Sequence, residues 1–142
     1  MTDDYCIHIG TVGQGLWRSP DAGETWERGE IEVREGTYRA LTPYPDASGR
    51  LLAGSDAGLF RSEDNGGHWQ LVESPMADRQ IWSVALDPAD AETIFAGTRP
   101  GAFRSRDGGA SWTELAIDVA DPCPIGISRT TAMVVDPRDR RK

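Results

Sequence analysis

An all-β chain of three four-stranded repeats is predicted by three features of the sequence. A twelve-residue phrase occurs three times at one period, and the segments between its copies repeat with it. No stretch keeps a helical apolar period over about ten positions without a Gly or Pro, so helix is disfavoured throughout.

The phrase Gly15-Leu16-Trp17-Arg18-Ser19-Pro20-Asp21-Ala22-Gly23-Glu24-Thr25-Trp26 returns as Gly58-Leu59-Phe60-Arg61-Ser62-Glu63-Asp64-Asn65-Gly66-Gly67-His68-Trp69. Its third copy is Gly101-Ala102-Phe103-Arg104-Ser105-Arg106-Asp107-Gly108-Gly109-Ala110-Ser111-Trp112. The serines stand at 19, 62 and 105, a spacing of 43 residues each time. That is the length of a four-stranded propeller blade, so the fold expected is a partial β-propeller occupying 1–142 as one unit.

Counted outward from the propeller axis, the first strand of a blade is predicted at Tyr38-Arg39-Ala40-Leu41-Thr42-Pro43 and at Ser83-Val84-Ala85-Leu86-Asp87-Pro88. The same pattern closes the chain at Ala132-Met133-Val134-Val135-Asp136-Pro137. Second strands follow at Leu51-Leu52-Ala53-Gly54 and Ile94-Phe95-Ala96-Gly97, because short apolar runs bounded by Gly, Pro and Asp read as strands. Third strands carry the Phe103-Arg104-Ser105 pattern, and fourth strands begin at the tryptophans. The first repeat starts at a second strand, Tyr5 to Thr11, with no first strand ahead of it, so residues 132–135 are expected to be the strand it lacks. Repeat boundaries fall near 5–37, 38–80 and 81–129, with a strand of a further blade in 130–137.

Composition narrows the partners. Against 15 Lys and Arg stand 23 Asp and Glu, a net charge of -8 that repels a phosphate backbone, so nucleic acid is not expected. No apolar run approaches the roughly 18 residues of a membrane span, and the acidic start does not read as a secretory signal, so a cytoplasmic chain away from membranes is expected. Cys6 and Cys123 form no C-x-x-C pair; two reduced thiols, with neither a metal site nor a cofactor, is the expectation.

Within the phrase, Ser, Asp, Gly and Trp keep the register S-x-D-x-G-x-x-W. Such a set suits a hairpin in which the Asp carboxylate and Ser hydroxyl bond backbone N–H groups and Gly takes a positive φ. The structural set is Ser19, Asp21, Gly23 and Trp26; Ser62, Asp64, Gly66 and Trp69; and Ser105, Asp107, Gly109 and Trp112. Each Trp is expected to fold into the layer between sheets, burying on the order of 200 Å². Calcium ligation or general-acid catalysis is the competing role for these Asp residues, but a position repeated in every blade is better explained by a turn that every blade needs. Arg18, Arg61 and Arg104 are read as strand residues with aliphatic stems lying on the sheet.

This register resembles the Asp-box (BNR) repeat of sialidases, xyloglucanase-type hydrolases, the sortilin ectodomain and photosystem assembly factors. Nearly the whole chain is similar to the N-terminal part of bacterial Asp-box or glycosyl-hydrolase-like repeat proteins, including the stretch from Arg79 to Pro88 and Asp121-Pro122-Cys123-Pro124. The resemblance implies a propeller whose boxes lie on the rim, away from any reaction centre, and it carries little chemistry of its own. Sialidases of this class also carry an Arg-Ile-Pro signature, which the chain lacks.

A ligand site is expected where the turns between second and third strands meet the connections between blades. Those turns are 12–14, 55–57 and 99–100; the connections are 30–37, 74–80 and 118–130. Arg39, Arg79, Arg99 and Arg129 fall in or beside them, and their planar guanidiniums suit an acidic ligand such as a carboxylated sugar. Pairing with Asp56, Asp78 and Asp118 is the competing reading. No catalytic residue is singled out: His8 and His68 lie with no identifiable nucleophile, and Asp87 and Asp136 precede prolines in a recurrent turn.

The expected function is that of a non-catalytic propeller binding a protein or carbohydrate ligand on its loop face. The alternative is a glycoside hydrolase, sialidase-like or xyloglucanase-like, using two channel carboxylates. Three blades leave open edges, so a homodimer of six blades, or blades from another polypeptide or a missing segment, is expected to complete the ring.

Overall fold

The structure, a computed structural model, describes residues 5–32, 34–117 and 132–138. Among them there is no helix, and strands form three sheets arranged as the blades of a partial propeller. Blade 1 orders β1 (Ile7–Gly10), β2 (Leu16–Ser19) and β3 (Glu27–Arg28). Blade 2 orders β5 (Tyr38–Pro43), β6 (Leu51–Ser55), β7 (Gly58–Ser62) and β8 (His68–Leu71) outward from the axis. Blade 3 repeats this with β9 (Gln80–Asp87), β10 (Asp90–Arg99), β11 (Ala102–Ser105) and β12 (Thr113–Leu115).

Registers align the blades on their serines. Ile7 faces Ser19, Leu51 faces Ser62 and Ile94 faces Ser105, so these three residues are structural equivalents. Between Ile7 and Leu51 the period is 44, not 43, because the turn joining β1 to β2 holds one more residue than its counterparts. His8, Leu52 and Phe95 are equivalent in turn, as are Ile9, Ala53 and Ala96.

Burial on both faces explains the continuous apolar run of β6; β10 keeps a similar run, with Phe95 half-buried on its outer face. Alternation sends Leu51 and Ala53, with Phe60 and Trp69, into a layer against Leu16 and Ile31 of blade 1. Leu52 and Leu59 point the other way and pack with Ile81, Val84, Ile94 and Phe103 of blade 3. Adjacent blades touch closely near the axis: a Cβ on Gly54 would lie 2.5 Å from Ile81 Cγ2, so no larger residue fits there unless Ile81 moves.

Two strands differ from expectation. An additional strand, β4 (Glu30–Ile31), leaves blade 1 and pairs parallel with the outer edge of β8, Glu30 opposite His68 and Ile31 opposite Trp69. Nothing in the local apolar pattern marks this pair, because it is made by the neighbouring blade. Residues 132–135, expected to be a first strand, form no strand among the described residues. A first strand has one in-sheet neighbour, the second strand of its own blade, and none stands beside this segment among the described residues.

Candidate functional site

The three repeated turns are built alike. Ser19 Oγ donates to Asp21 Oδ1 at 2.8 Å and accepts from the Gly23 N–H at 2.7 Å, while Asp21 Oδ1 accepts from the Thr25 N–H at 2.8 Å. Ser62, Asp64, Gly66 and His68 reproduce the same three bonds at 2.9, 2.9 and 2.8 Å. Ser105, Asp107, Gly109 and Ser111 do so at 2.7, 2.8 and 2.8 Å. All three serines are buried. Gly23, Gly66 and Gly109 have φ of 101°, 83° and 95°, the left-handed region in which a Cβ is strained.

These bonds fix the protonation of the carboxylates. The Ser111 hydroxyl and N–H, with the Ser105 hydroxyl, hold Asp107 down to about 2. At Asp64 burial pushes upward, but hydrogen bonds from His68 and Ser62 outweigh it and the carboxyl lies at about 2. The Thr25 hydroxyl likewise lowers Asp21. An Asp so held carries no proton to donate near neutral pH, which speaks for a turn and against a general acid.

The tryptophans divide. Trp69 is 5% exposed and Trp112 half-buried, each donating from Nε1 to a glycine carbonyl of its own turn, Gly66 or Gly109, at 3.0 Å. Both pack toward the preceding blade: Gly29 lies against Trp69, and Val72 beside the turn of Trp112. Trp26, expected to be buried like the others, is 41% exposed, because no described blade precedes the first.

The repeated arginines do more than lay stems on the sheet. Arg18 Nη1 donates to the Asp64 and Asn65 carbonyls, both at 3.1 Å, and Arg61 Nη1 donates to the Gly108 carbonyl at 3.3 Å. Each therefore reaches from its own strand to the turn of the next blade. Sequence periodicity marks them as equivalent, but it cannot show that the shared partner is a backbone carbonyl one repeat away.

The loop-face arginines are placed as follows. Arg39 at the start of β5 sets its guanidinium 4.6 Å from the ring centroid of Trp82 in β9, joining the innermost strands of blades 2 and 3. Arg79 turns inward to its own blade: Nη1 donates to the Pro100 carbonyl at 3.0 Å and reaches Glu114 at 3.5 Å, with Phe103 beneath the guanidinium. Its acidic partner is thus Glu114. Arg99 ends β10 opposite Gln80, next in sequence to Arg79. Arg129 and Asp118 lie outside the described residues. Trp82, which sequence reasoning passed over, adds an aromatic surface to this end; its place beside Arg39 on a neighbouring first strand was the available signal.

Both Asp-Pro carboxylates accept an N–H two residues on, Asp87 from Ala89 and Asp136 from Arg138, each at 2.9 Å, the bond of a turn-forming Asp. The histidines occupy unlike surroundings. His68 bonds Asp64 through Nδ1 and approaches Glu30 at 3.3 Å; the Asp64 hydrogen bond, then the Asp64 and Glu30 charges, raise its pKa. His8 meets Asn65 at 3.2 Å, and burial lowers its pKa. In a proton NMR titration the two are expected to titrate on opposite sides of 6.5, His68 above and His8 below. Asp64→Asn is expected to bring His68 back down and leave His8 in place. Protonated His68 favours the native turn below 6.5, and that contribution is lost as pH rises through its native pKa.

Similarity to solved structures lies in this blade architecture. An ancestral GH74 enzyme superimposes with a TM-score of 0.68 at 22% identity, over 78% of this chain and 16% of that one. The GH74 xyloglucanase from Xanthomonas campestris gives 0.59 at 25% identity, over 80% of this chain and 19% of that one. YCF48 bound to D1 peptide gives 0.61 at 16% identity, over 80% and 37%. The chain thus spans under a fifth of each hydrolase and well under half of YCF48. No curated protein matches it. The model of the family described as Sortilin, neurotensin receptor 3, matches residues 14–139, and with most of its length so matched the chain belongs to the sortilin–Vps10 family.

Proposed function

We propose that this chain is part of a non-catalytic Asp-box propeller that binds a protein or carbohydrate ligand on its loop face. The observation that carries the reading is the Arg39 and Trp82 pair, a cation held 4.6 Å from an indole where two blades meet near the axis. A guanidinium laid over an indole suits an acidic sugar or an acidic peptide, since the ring supports the planar cation and its N–H edge is a bidentate donor to a carboxylate. Val12, in the turn between β1 and β2 and bridged to Thr37, is 82% exposed and adds an apolar side chain to the loops. YCF48, a structural neighbour, is a propeller with a bound peptide.

Binding is tested by titrating the protein with sialylated oligosaccharides, xyloglucan fragments and acidic peptides in a calorimeter. One of these classes is expected to bind, with affinity falling at least tenfold in Trp82→Ala and Arg39→Ala. The GH74 neighbours favour the second reading, a glycoside hydrolase. Turnover of a chromogenic glycoside that a single Asp or Glu substitution abolishes would establish that reading and overturn ours.

A further inference from the structure

We propose that a second copy of this chain docks head to tail on the first. Blade 1 of one copy takes residues 132–135 of the other as its innermost strand, and Arg104 of that other copy binds the Ala22 carbonyl. Four observations converge on this arrangement.

The first is the repeated arginine contact. Arg18 and Arg61 each donate to the turn of the following blade, at Asn65 and Gly108. In both it is Nη1 that crosses to the next blade, while Nε pairs with a carboxylate of the same blade, Glu27 or Glu63. Arg104 holds the third equivalent position, and its Nε is buried without a hydrogen-bond partner among the described residues. Leaving such a donor unpaired is costly, so the position calls for an acceptor. By the same period, the carbonyl equivalent to those of Asn65 and Gly108 is that of Ala22 in the first turn.

The second is the match of the two open faces. On blade 3, Arg104 lines a recess of about 910 Å³ with Phe95, Ala102 and Leu115. These are the counterparts of Leu52, Leu59 and Val72, which in blade 2 pack on blade 3. On blade 1, Ile9 is 40% exposed and Trp26 stands open. They are the counterparts of Ala53 and Trp69, which receive blade 1. The chain therefore contains two working examples of the contact and presents both halves of a third. Charge agrees, with Glu24 on the first turn and Arg106 beside Arg104 in the recess.

The third is the inner edge of β1. In blades 2 and 3 the second strand pairs inward with a first strand, β6 with β5 and β10 with β9. Among the described residues the pairing along this edge of β1 is limited to a bridge between Val12 and Thr37 beyond its end, and β2 lies on its other side. A recess of about 980 Å³ runs there between Cys6 and His8 on one wall and Leu41 and Thr42 on the other.

The fourth is the strand without a sheet. Ala132-Met133-Val134-Val135 carries the apolar pattern of β5 and β9 but has no sheet partner among the described residues, with Val134 88% exposed. Met133 and Val135 line the recess beside Phe95 and Arg104, next to blade 3 where a following blade belongs. One copy thus supplies the innermost strand and the other supplies the remaining three. In blade 3, Leu86 faces Ile94 and Ala85 faces Phe95. Aligning Leu86-Asp87-Pro88 with Val135-Asp136-Pro137 sets Val135 opposite Ile7 and Val134 opposite His8 of the partner copy.

Light scattering over a concentration series is expected to show a species of twice the chain mass. Arg104→Gln is expected to raise its dissociation constant at least tenfold with unchanged circular dichroism. In a Cys6→Ser, Cys123→Ser background, mixing His8→Cys with Val134→Cys chains is expected to give an oxidised cross-linked pair at the register above. A chain that stays monomeric overturns the proposal. So does a dimer indifferent to Arg104→Gln, or a dimer in which those cysteines do not join.

Discussion

Replacing Trp69 by alanine is expected to destabilise the fold by roughly 3 to 5 kcal/mol, the cost of removing a large buried aromatic and leaving its cavity. Its ring closes the layer between blades 1 and 2, with Ile31 and Phe60 in the same cluster and Gly29 against the indole. In the dissociated chain, at a concentration low enough to keep copies apart, the identical change at Trp26 is expected to cost well under half as much, because that ring is then open to solvent on blade 1. Urea unfolding followed by circular dichroism measures both. Equal losses would show that the three tryptophans act locally, each on its own hairpin, and that packing between blades contributes little.

Ser62→Ala is expected to cost about 1 to 3 kcal/mol, although it removes a single oxygen. Ser62 Oγ is buried, accepts from the Gly66 N–H at 2.9 Å and donates to Asp64 at 2.9 Å. Without it the buried Gly66 N–H loses its acceptor. The loss is read as a fall in unfolding midpoint with an unchanged denaturant slope. Ser48→Ala serves as the control, since Ser48 is exposed in the turn between β5 and β6. If Ser62→Ala and Ser48→Ala prove equally mild, the shared hydrogen-bond set does not hold the turn.

Much of this fold was legible because the repeat writes the same local physics three times. The Ser, Asp and Gly of each turn bond residues at most four positions away, so spacing alone foretells the hairpin. Short apolar runs likewise foretell β6, whose two faces meet two neighbouring blades, and β10, which meets blade 2 on one face. What escaped the sequence is long-range. The exposure of Trp26 depends on a blade that would precede it, and β4 pairs only because blade 2 offers an edge. Arg18 and Arg61 satisfy carbonyls 46 and 47 positions on, a distance no local pattern encodes. At the loop face the arginines were visible as residue types, but only the fold sets Arg39 on Trp82 and turns Arg79 toward Pro100 and Glu114.

The parallel pairing of β4 with β8 has a consequence for cooperativity. Glu30 and Ile31 belong to one repeat by sequence and to the next by hydrogen bonding, with the Glu30 N–H donating to the Gly67 carbonyl at 2.7 Å. Melting the second sheet releases the tail of the first, so the boundary between folding units runs through the blades and not between them.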